Sequence, residues 1–377
     1  MKLEEVGSRF IVEPQGTSLS ETERSQLQQL RPAAIMLRSR NFLGTKVSGV
    51  EADYGQMLDG LKLLLADMRG AIGRENILVT IDHEGGRVVR PPAPITSFPY
   101  PAYWGEAQEQ VLEAFATELK SLGVNVIFGP VADIHSNPAN PVIAERAFGR
   151  SVEEVIPRVL AYLSALQRHG LLTCAKHFPG HGDTGVDSHS ELPVLDYSLE
   201  ELRERELRPF KALIEAGIPM VMTAHVLLRK IDPENPATMS ARILADLLRG
   251  ELGFAGVVVA DALAMKAILP QILTQRFAER VLEAQVDLLC VAGPGVDMGT
   301  AVGMAQNLCT ALEANSDYQS LHQESQARVE ALLARAGQYP VLELSQEVFA
   351  EHHALARRLS VNPAWSGAAK EYIPQGF

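Results

Sequence analysis

The chain has 377 residues, 46% of them hydrophobic and 21% charged, with a formal net charge of −12. That composition is ordinary for a globular enzyme and leaves room for one large domain or two small ones. The acidic balance argues against nucleic acid as a partner, and no run approaches the ~20 apolar residues of a membrane span.

The first residues, Met1 to Val6, lack the apolar core of a signal peptide. Eight short apolar runs then recur, at 10–12, 34–37, 77–81, 125–128, 171–175, 219–223, 257–260 and 287–291. Strands buried on both faces read as continuous apolar runs. Between them lie amphipathic segments, three of which open with a capping-box pattern at Ser20/Glu23, Ser151/Glu154 and Ser198/Glu201. Alternating strand and helix patterns imply parallel strands joined by crossover helices. Polar residues close nearly every run: Arg38 and Arg40, Asp82, Asp133, Lys176 and His177, His225, Asp261. An open sheet concentrates its site at one switch point, whereas a (β/α)8 barrel builds it from the loops after all its strands. The expectation is a single α/β barrel of TIM type over 1–315. Extra helices at about 318–337 and 345–359 and a polar tail form an extension over 316–377. Cys174, Cys290 and Cys309 show no paired spacing and read as free thiols, which suits a reducing cytoplasm.

The densest chemistry lies in Lys176-His177-Phe178-Pro179-Gly180-His181-Gly182-Asp183-Thr184-Gly185-Val186-Asp187-Ser188-His189. Asp187 and His189 are two apart, a spacing that lets a carboxylate reach an imidazole in a loop. Such a dyad donates a proton to a leaving group and then takes one from water; a solvated surface loop is the bland alternative. The histidines and aspartates here also invite a zinc reading. Pro179 and Gly180 interrupt any helical His-x-x-x-His spacing, and no thiolate cluster is nearby, so no metal is expected. Asp261, after 256–260, is placed as a nucleophile or as a helix N-cap. Asp82-His83-Glu84-Gly85-Gly86-Arg87-Val88-Val89-Arg90 reads as a polar ligand loop or an ion-paired turn. Arg146 either clamps a substrate oxygen or pairs with Glu145 or Asp133. His225, a lone histidine at a strand end, is more often structural than catalytic.

Taken in order, Arg40-Asn41-Phe42, Asp82 to Arg90, Asn140 to Gly149, Lys176 to His189 and Asp261 to Met265 resemble glycoside hydrolase family 3. Within it they look most like the single-barrel, NagZ-like β-N-acetylhexosaminidases of peptidoglycan recycling. The resemblance runs from about residue 8 to 295. It implies retention through a covalent glycosyl-enzyme, with Asp261 as nucleophile, His189 as general acid/base and Asp187 tuning it. It implies that Asp82, Arg90, Arg146, Lys176 and His177 hold N-acetylglucosamine, and that no cofactor is needed. A small carbohydrate substrate and a monomer or weak homodimer are the expected partners. Most retaining glycosidases pair two carboxylates. An unperturbed imidazole near pKa ~6.5 serves as both acid and base around neutral pH. Being neutral, it also repels phosphate less, so a phosphorylase stays open beside other family 3 β-glycosidases such as glucosidases or xylosidases. Three departures stand out: Gln285 where the family commonly has glycine, the cation Arg38 where an apolar side chain is usual, and the proline-rich stretch 91–94.

Overall fold

The computed structural model describes residues 1–185 and 192–360. Among the described residues there are ten strands: β1 (Phe10–Val12), β2 (Ala34–Leu37), β3 (Leu78–Ile81), β4 (Val126–Ile127), β5 (Leu172–Phe178), β6 (Val194–Leu195), β7 (Met220–Thr223), β8 (Leu227–Leu228), β9 (Val257–Ala260) and β10 (Leu288–Val291). Eight of them close into a parallel barrel in the cyclic order β1-β10-β9-β7-β5-β4-β3-β2, while β6 and β8 pair outside it. This is the (β/α)8 architecture that the apolar runs imply. Every run falls on a barrel strand. One strand is longer than its run: β5 continues through Lys176, His177 and Phe178. Its backbone keeps finding partners there, with Ala132 N donating to Lys176 O and Ala224 N to Phe178 O.

Ser20 and Ser198 form reciprocal capping boxes with Glu23 and Glu201. Ser151 caps its helix, but Glu154 turns instead to the Arg150 backbone N–H at 2.7 Å. Gln285 has φ +56°, the left-handed region where a Cβ costs about 1 kcal/mol. That geometry explains why glycine is the easier residue there.

The barrel interior holds its own apolar cluster, including Ile11, Met36, Leu78, Phe128, Cys174, Met222, Val259 and Cys290. Val329, Leu332, Leu333 and Ala336 join it from the helix Ser316–Arg335 and the residue just beyond. This helix therefore plugs the amino-terminal end of the barrel. A buried ion cluster pins it. Asp287 accepts from Arg249 Nη2 at 2.6 Å, from Arg328 Nε at 3.0 Å and from Val258 N at 2.8 Å. Burial also pushes the neighbouring Arg9 guanidinium down to about 10. Breaking one side of a buried pair typically costs about 3–5 kcal/mol, and the amino-terminal face of such a barrel serves stability. Asp287→Asn is thus expected to lower unfolding free energy by about that amount in urea titrations while leaving kcat unchanged.

The proline-rich stretch meets a second helix, Gln346–Ser360, where His353 Nε2 donates to Pro94 O at 2.8 Å. Cys174, Cys290 and Cys309 are free and buried. Among the described residues no helix is long and apolar enough to cross a membrane.

Candidate active site

Side chains along a strand alternate between faces. Two residues beyond the last inward position, which is apolar in four strands and Thr80 in the fifth, five barrel strands carry a charged residue. Ile11 is followed by Glu13, Met36 by Arg38, Thr80 by Asp82, Cys174 by Lys176 and Val259 by Asp261. The floor of the barrel mouth is therefore a layer of charges over an apolar plug. Burial pushes the Cys174 thiol up, and it responds to the charges of Lys176, Asp261 and Asp82 together. By strand alternation all three groups stand on the inward face, one step above the apolar plug.

Lys176 Nζ lies 2.8 Å from Asp82 Oδ1 and 2.6 Å from Glu84 Oε1. Arg146 forks onto the same Glu84, with Nε at 2.7 Å from Oε2 and Nη2 at 2.9 Å from Oε1. Arg90 Nη2 approaches Asp82 Oδ2 at 3.6 Å. Burial disfavours the Glu84 carboxylate, yet Arg146 and Lys176 hold it far below the usual range. Burial likewise opposes charge on Lys176, and the carboxylates of Asp82 and Glu84 raise its pKa regardless. The network is thus ionised at neutral pH. It presents fixed donors and acceptors suited to sugar hydroxyls.

Asp133, fully buried, organises the start of the next loop. It accepts from His181 N at 2.7 Å and from His177 N at 3.3 Å, and its Oδ2 lies 2.6 Å from His177 Nδ1. The 2.6 Å contact at Nδ1 fixes the orientation of the His177 ring. Asn140 ties the loop's far side, donating to His181 O at 2.8 Å and to Thr184 Oγ1 at 3.2 Å. Burial, with His177 nearby, pushes His181 down to about 4.

Asp261 is partly exposed, and its Oδ1 accepts from Ala262 N at 2.7 Å. The residues after it form turns, with Met265 N donating to Ala262 O. No helix begins there, so Asp261 is not a helix cap. His225 braces this turn, with Nε2 3.3 Å from Ala262 O and Nδ1 2.7 Å from Thr238 Oγ1. Asp187 and His189 lie outside the described residues. The other six candidates, Asp82, Arg90, Arg146, Lys176, His177 and Asp261, all line the carboxyl-terminal mouth. One pairing is corrected: Arg146 joins Glu84, not Glu145 or Asp133, because barrel closure brings the β3 and β4 loops together. Among the described residues no group of three or more His, Cys, Asp or Glu stands close enough to hold a metal ion.

The family model for the glycosyl hydrolase family 3 N-terminal domain matches residues 3–332. The chain belongs to glycosyl hydrolase family 3. It is 37% identical over 268 residues to β-hexosaminidase A of Pseudoalteromonas piscicida, covering 65% of this chain and 45% of that protein. It thus spans less than half of that relative's length. It is 33% identical over 287 residues to the β-hexosaminidase of Nitrosomonas eutropha, covering 73% of this chain and 78% of that one. Among solved structures, the family 3 β-N-acetylglucosaminidase of a Paenibacillus species superposes with TM-score 0.82 at 32% identity. That match covers 95% of this chain and 68% of the other.

Within this family 3 barrel, one buried carboxylate was not legible as part of the site. Glu206 is 2% exposed, and its Oε1 lies 2.7 Å from Arg205 Nε. Its Oε2 has no hydrogen-bond partner among the described residues and packs on Gly180, where a Cβ would approach it to 3.0 Å. Burial pushes Glu206 up to about 7, with the Asp133 and Asp183 carboxylates adding to it and Arg205 opposing. A folded pKa above the unfolded value of 4.5 gives stability that is full below about pH 4.5 and is lost as pH rises through about 7. Between pH 5 and 8 the native protein should therefore lose up to ~3 kcal/mol relative to Glu206→Gln. Urea midpoints of both proteins at the two pH values check this.

Proposed function

We propose that this chain is a retaining β-N-acetylhexosaminidase that removes terminal N-acetyl-β-glucosaminyl residues. The observation that carries the reading is the shared inward layer: Asp261, two residues past Val259, stands on the same inward face of the barrel as Asp82 and Lys176, which with Glu84 and Arg146 form the ionised network. That network supplies orientation, holding the sugar so that its anomeric carbon meets Asp261. A bound sugar in this geometry turns attack into an intramolecular step.

In the first half-reaction an Asp261 carboxylate oxygen bonds to the anomeric carbon as the glycosidic bond breaks. His189, as imidazolium, gives its proton to the leaving oxygen. In the second, neutral His189 takes a proton from water, whose oxygen attacks the same carbon and releases Asp261. Asp187 stabilises the imidazolium and holds its orientation, as carboxylates do for catalytic histidines. The resemblance to recycling enzymes supports N-acetylglucosaminyl-anhydromuramyl peptides as the natural substrate. Three free, buried thiols suit a reducing compartment and support a cytoplasmic site of action.

The test is turnover of an aryl N-acetyl-β-glucosaminide beside the matching β-glucoside, each with and without a chelator. Cleavage of the acetamido sugar at least tenfold faster, unaffected by chelator, is the expected result. Preference for the glucoside would move the chain to the glucosidase branch.

A further inference from the structure

Arg38 belongs to the charged floor but takes no part in its hydrogen bonding. It is 8% exposed, and its backbone N–H donates to Asn41 Oδ1 at 2.8 Å. The guanidinium has no hydrogen-bond partner among the described residues. Its nearest anion is Glu13 Oε2 at 3.8 Å. That oxygen already accepts from Gly293 N at 2.7 Å, and Glu13 Oε1 lies 2.9 Å from Arg40 Nε. Two guanidiniums therefore share one carboxylate that is spoken for elsewhere. Glu13 and Gly293 lie just beyond β1 and β10, which pair with each other, and β1 also pairs with β2.

The place is shaped for this side chain. Gly293 has φ +112°, and a Cβ there would approach Arg38 Nη1 to 3.0 Å and Ala264 Cβ to 2.7 Å. The bare glycine thus leaves room for the guanidinium beside the turn that follows Asp261. The Cys290 thiol beneath, pushed up by burial, responds to Asp261, Asp82, Arg38 and Glu13 together. Arg38 follows the inward Met36 on β2 as Asp261 follows the inward Val259 on β9, so by strand alternation both stand in the layer above the apolar plug. With its one anionic neighbour no nearer than 3.8 Å and none of its nitrogens among the sealed, unpartnered atoms of the described residues, the guanidinium is placed to take an acceptor that arrives from outside.

We propose that Arg38 is a specificity-determining residue that receives an oxyanion, carboxylate or phosphate, carried on the ring of the sugar bound in the barrel mouth. The inference rests on the glycosidase reading for the position of that sugar and narrows its preferred ring from plain N-acetylglucosamine to derivatives that carry an oxyanion. Depth decides for the ring over the leaving group: a floor residue at the level of Asp261 meets the sugar that Asp82 and Lys176 hold. A planar guanidinium takes an oxyanion through two parallel N–H bonds, the strongest hydrogen bonds available to it.

The test is calorimetric binding to the full chain of glucose, N-acetylglucosamine, N-acetylglucosamine 6-phosphate, N-acetylmuramic acid and inorganic phosphate. Arg38→Leu and Arg38→Lys are measured beside the native protein. At least one anionic sugar is expected to bind roughly tenfold or more tighter than N-acetylglucosamine. That ratio should fall to about one in Arg38→Leu and be partly kept in Arg38→Lys. The phosphate and lactyl arms tell which oxyanion is preferred. A ratio near one in the native protein, a ratio that survives Arg38→Leu, or inorganic phosphate binding as tightly as the best anionic sugar would overturn the proposal. N-acetylglucosamine binding no better than glucose would instead remove the hexosaminidase reading, with the anionic ratio still deciding on Arg38. Arg38→Leu takes one cation from the buried Glu13, which keeps Arg40 Nε at 2.9 Å and the Gly293 N–H, while Arg38→Lys keeps the charge; urea unfolding of both variants, with unchanged binding of N-acetylglucosamine, separates lost recognition from lost folding.

Discussion

Asp261→Asn is expected to lower kcat on an aryl N-acetyl-β-glucosaminide by at least about a thousandfold, the scale seen when a nucleophile is removed. The amide cannot form the glycosyl ester, yet it is nearly the same shape. It keeps an oxygen to accept the Ala262 N–H that Asp261 Oδ1 accepts at 2.7 Å. Because Asp261 is partly exposed and makes that one hydrogen bond to the backbone, stability should change by less than about 1 kcal/mol. Steady-state rates and urea unfolding on the same preparation separate the two effects. A variant that turns over at near-native rate would place the nucleophile elsewhere. A variant that fails to unfold cooperatively would mean that Asp261 supports the barrel rather than the reaction.

The barrel was legible because its strands are buried on both faces, so each reads as an unbroken apolar run. The charged floor was legible for a related reason. A charged residue two positions past an inward strand residue faces the mouth, as Asp82, Lys176 and Asp261 do after Thr80, Cys174 and Val259. Partnerships were not legible. Arg146 and Glu84 are 62 residues apart, and nothing local links them until β3 and β4 lie side by side. Glu145 and Asp133 are nearer in sequence and looked as suitable. The full length of β5 was hidden by the polarity of Lys176 and His177, since the backbone pairs that extend it come from Val131–Ala132 and Thr223–Ala224. The helix Ser316–Arg335 shows an apolar face in Val329, Leu332 and Leu333, but only the closed barrel reveals that this face fills its lower end.

Glu84 is where the structure adds most, and Glu84→Gln is expected to cost about 3–5 kcal/mol of stability at pH 7. One carboxylate, 4% exposed, neutralises two buried cations, with Lys176 at 2.6 Å and Arg146 at 2.7 Å. Glutamine keeps one acceptor oxygen but carries no charge. Lys176 retains Asp82 at 2.8 Å, whereas Arg146 loses its only carboxylate partner among the described residues. The pH dependence follows from the sign of the shift. Burial resists ionisation, but Arg146 and Lys176 depress the folded pKa of Glu84 well below its unfolded value of 4.5. Its contribution is therefore present above about pH 4.5 and lost as pH falls below that value. The gap between native and Glu84→Gln proteins in urea should be widest near neutrality and narrow steadily in acid. Activity separates support of the fold from support of the site. In Glu84→Gln/Arg146→Met the stranded cation is gone, so much of the lost stability should return, as it does when both members of a buried pair become apolar or neutral. KM for the glycoside should stay high, because Lys176 is no longer held between two carboxylates and Arg146 no longer reaches the mouth. Recovery of KM together with stability would make this network a scaffold only.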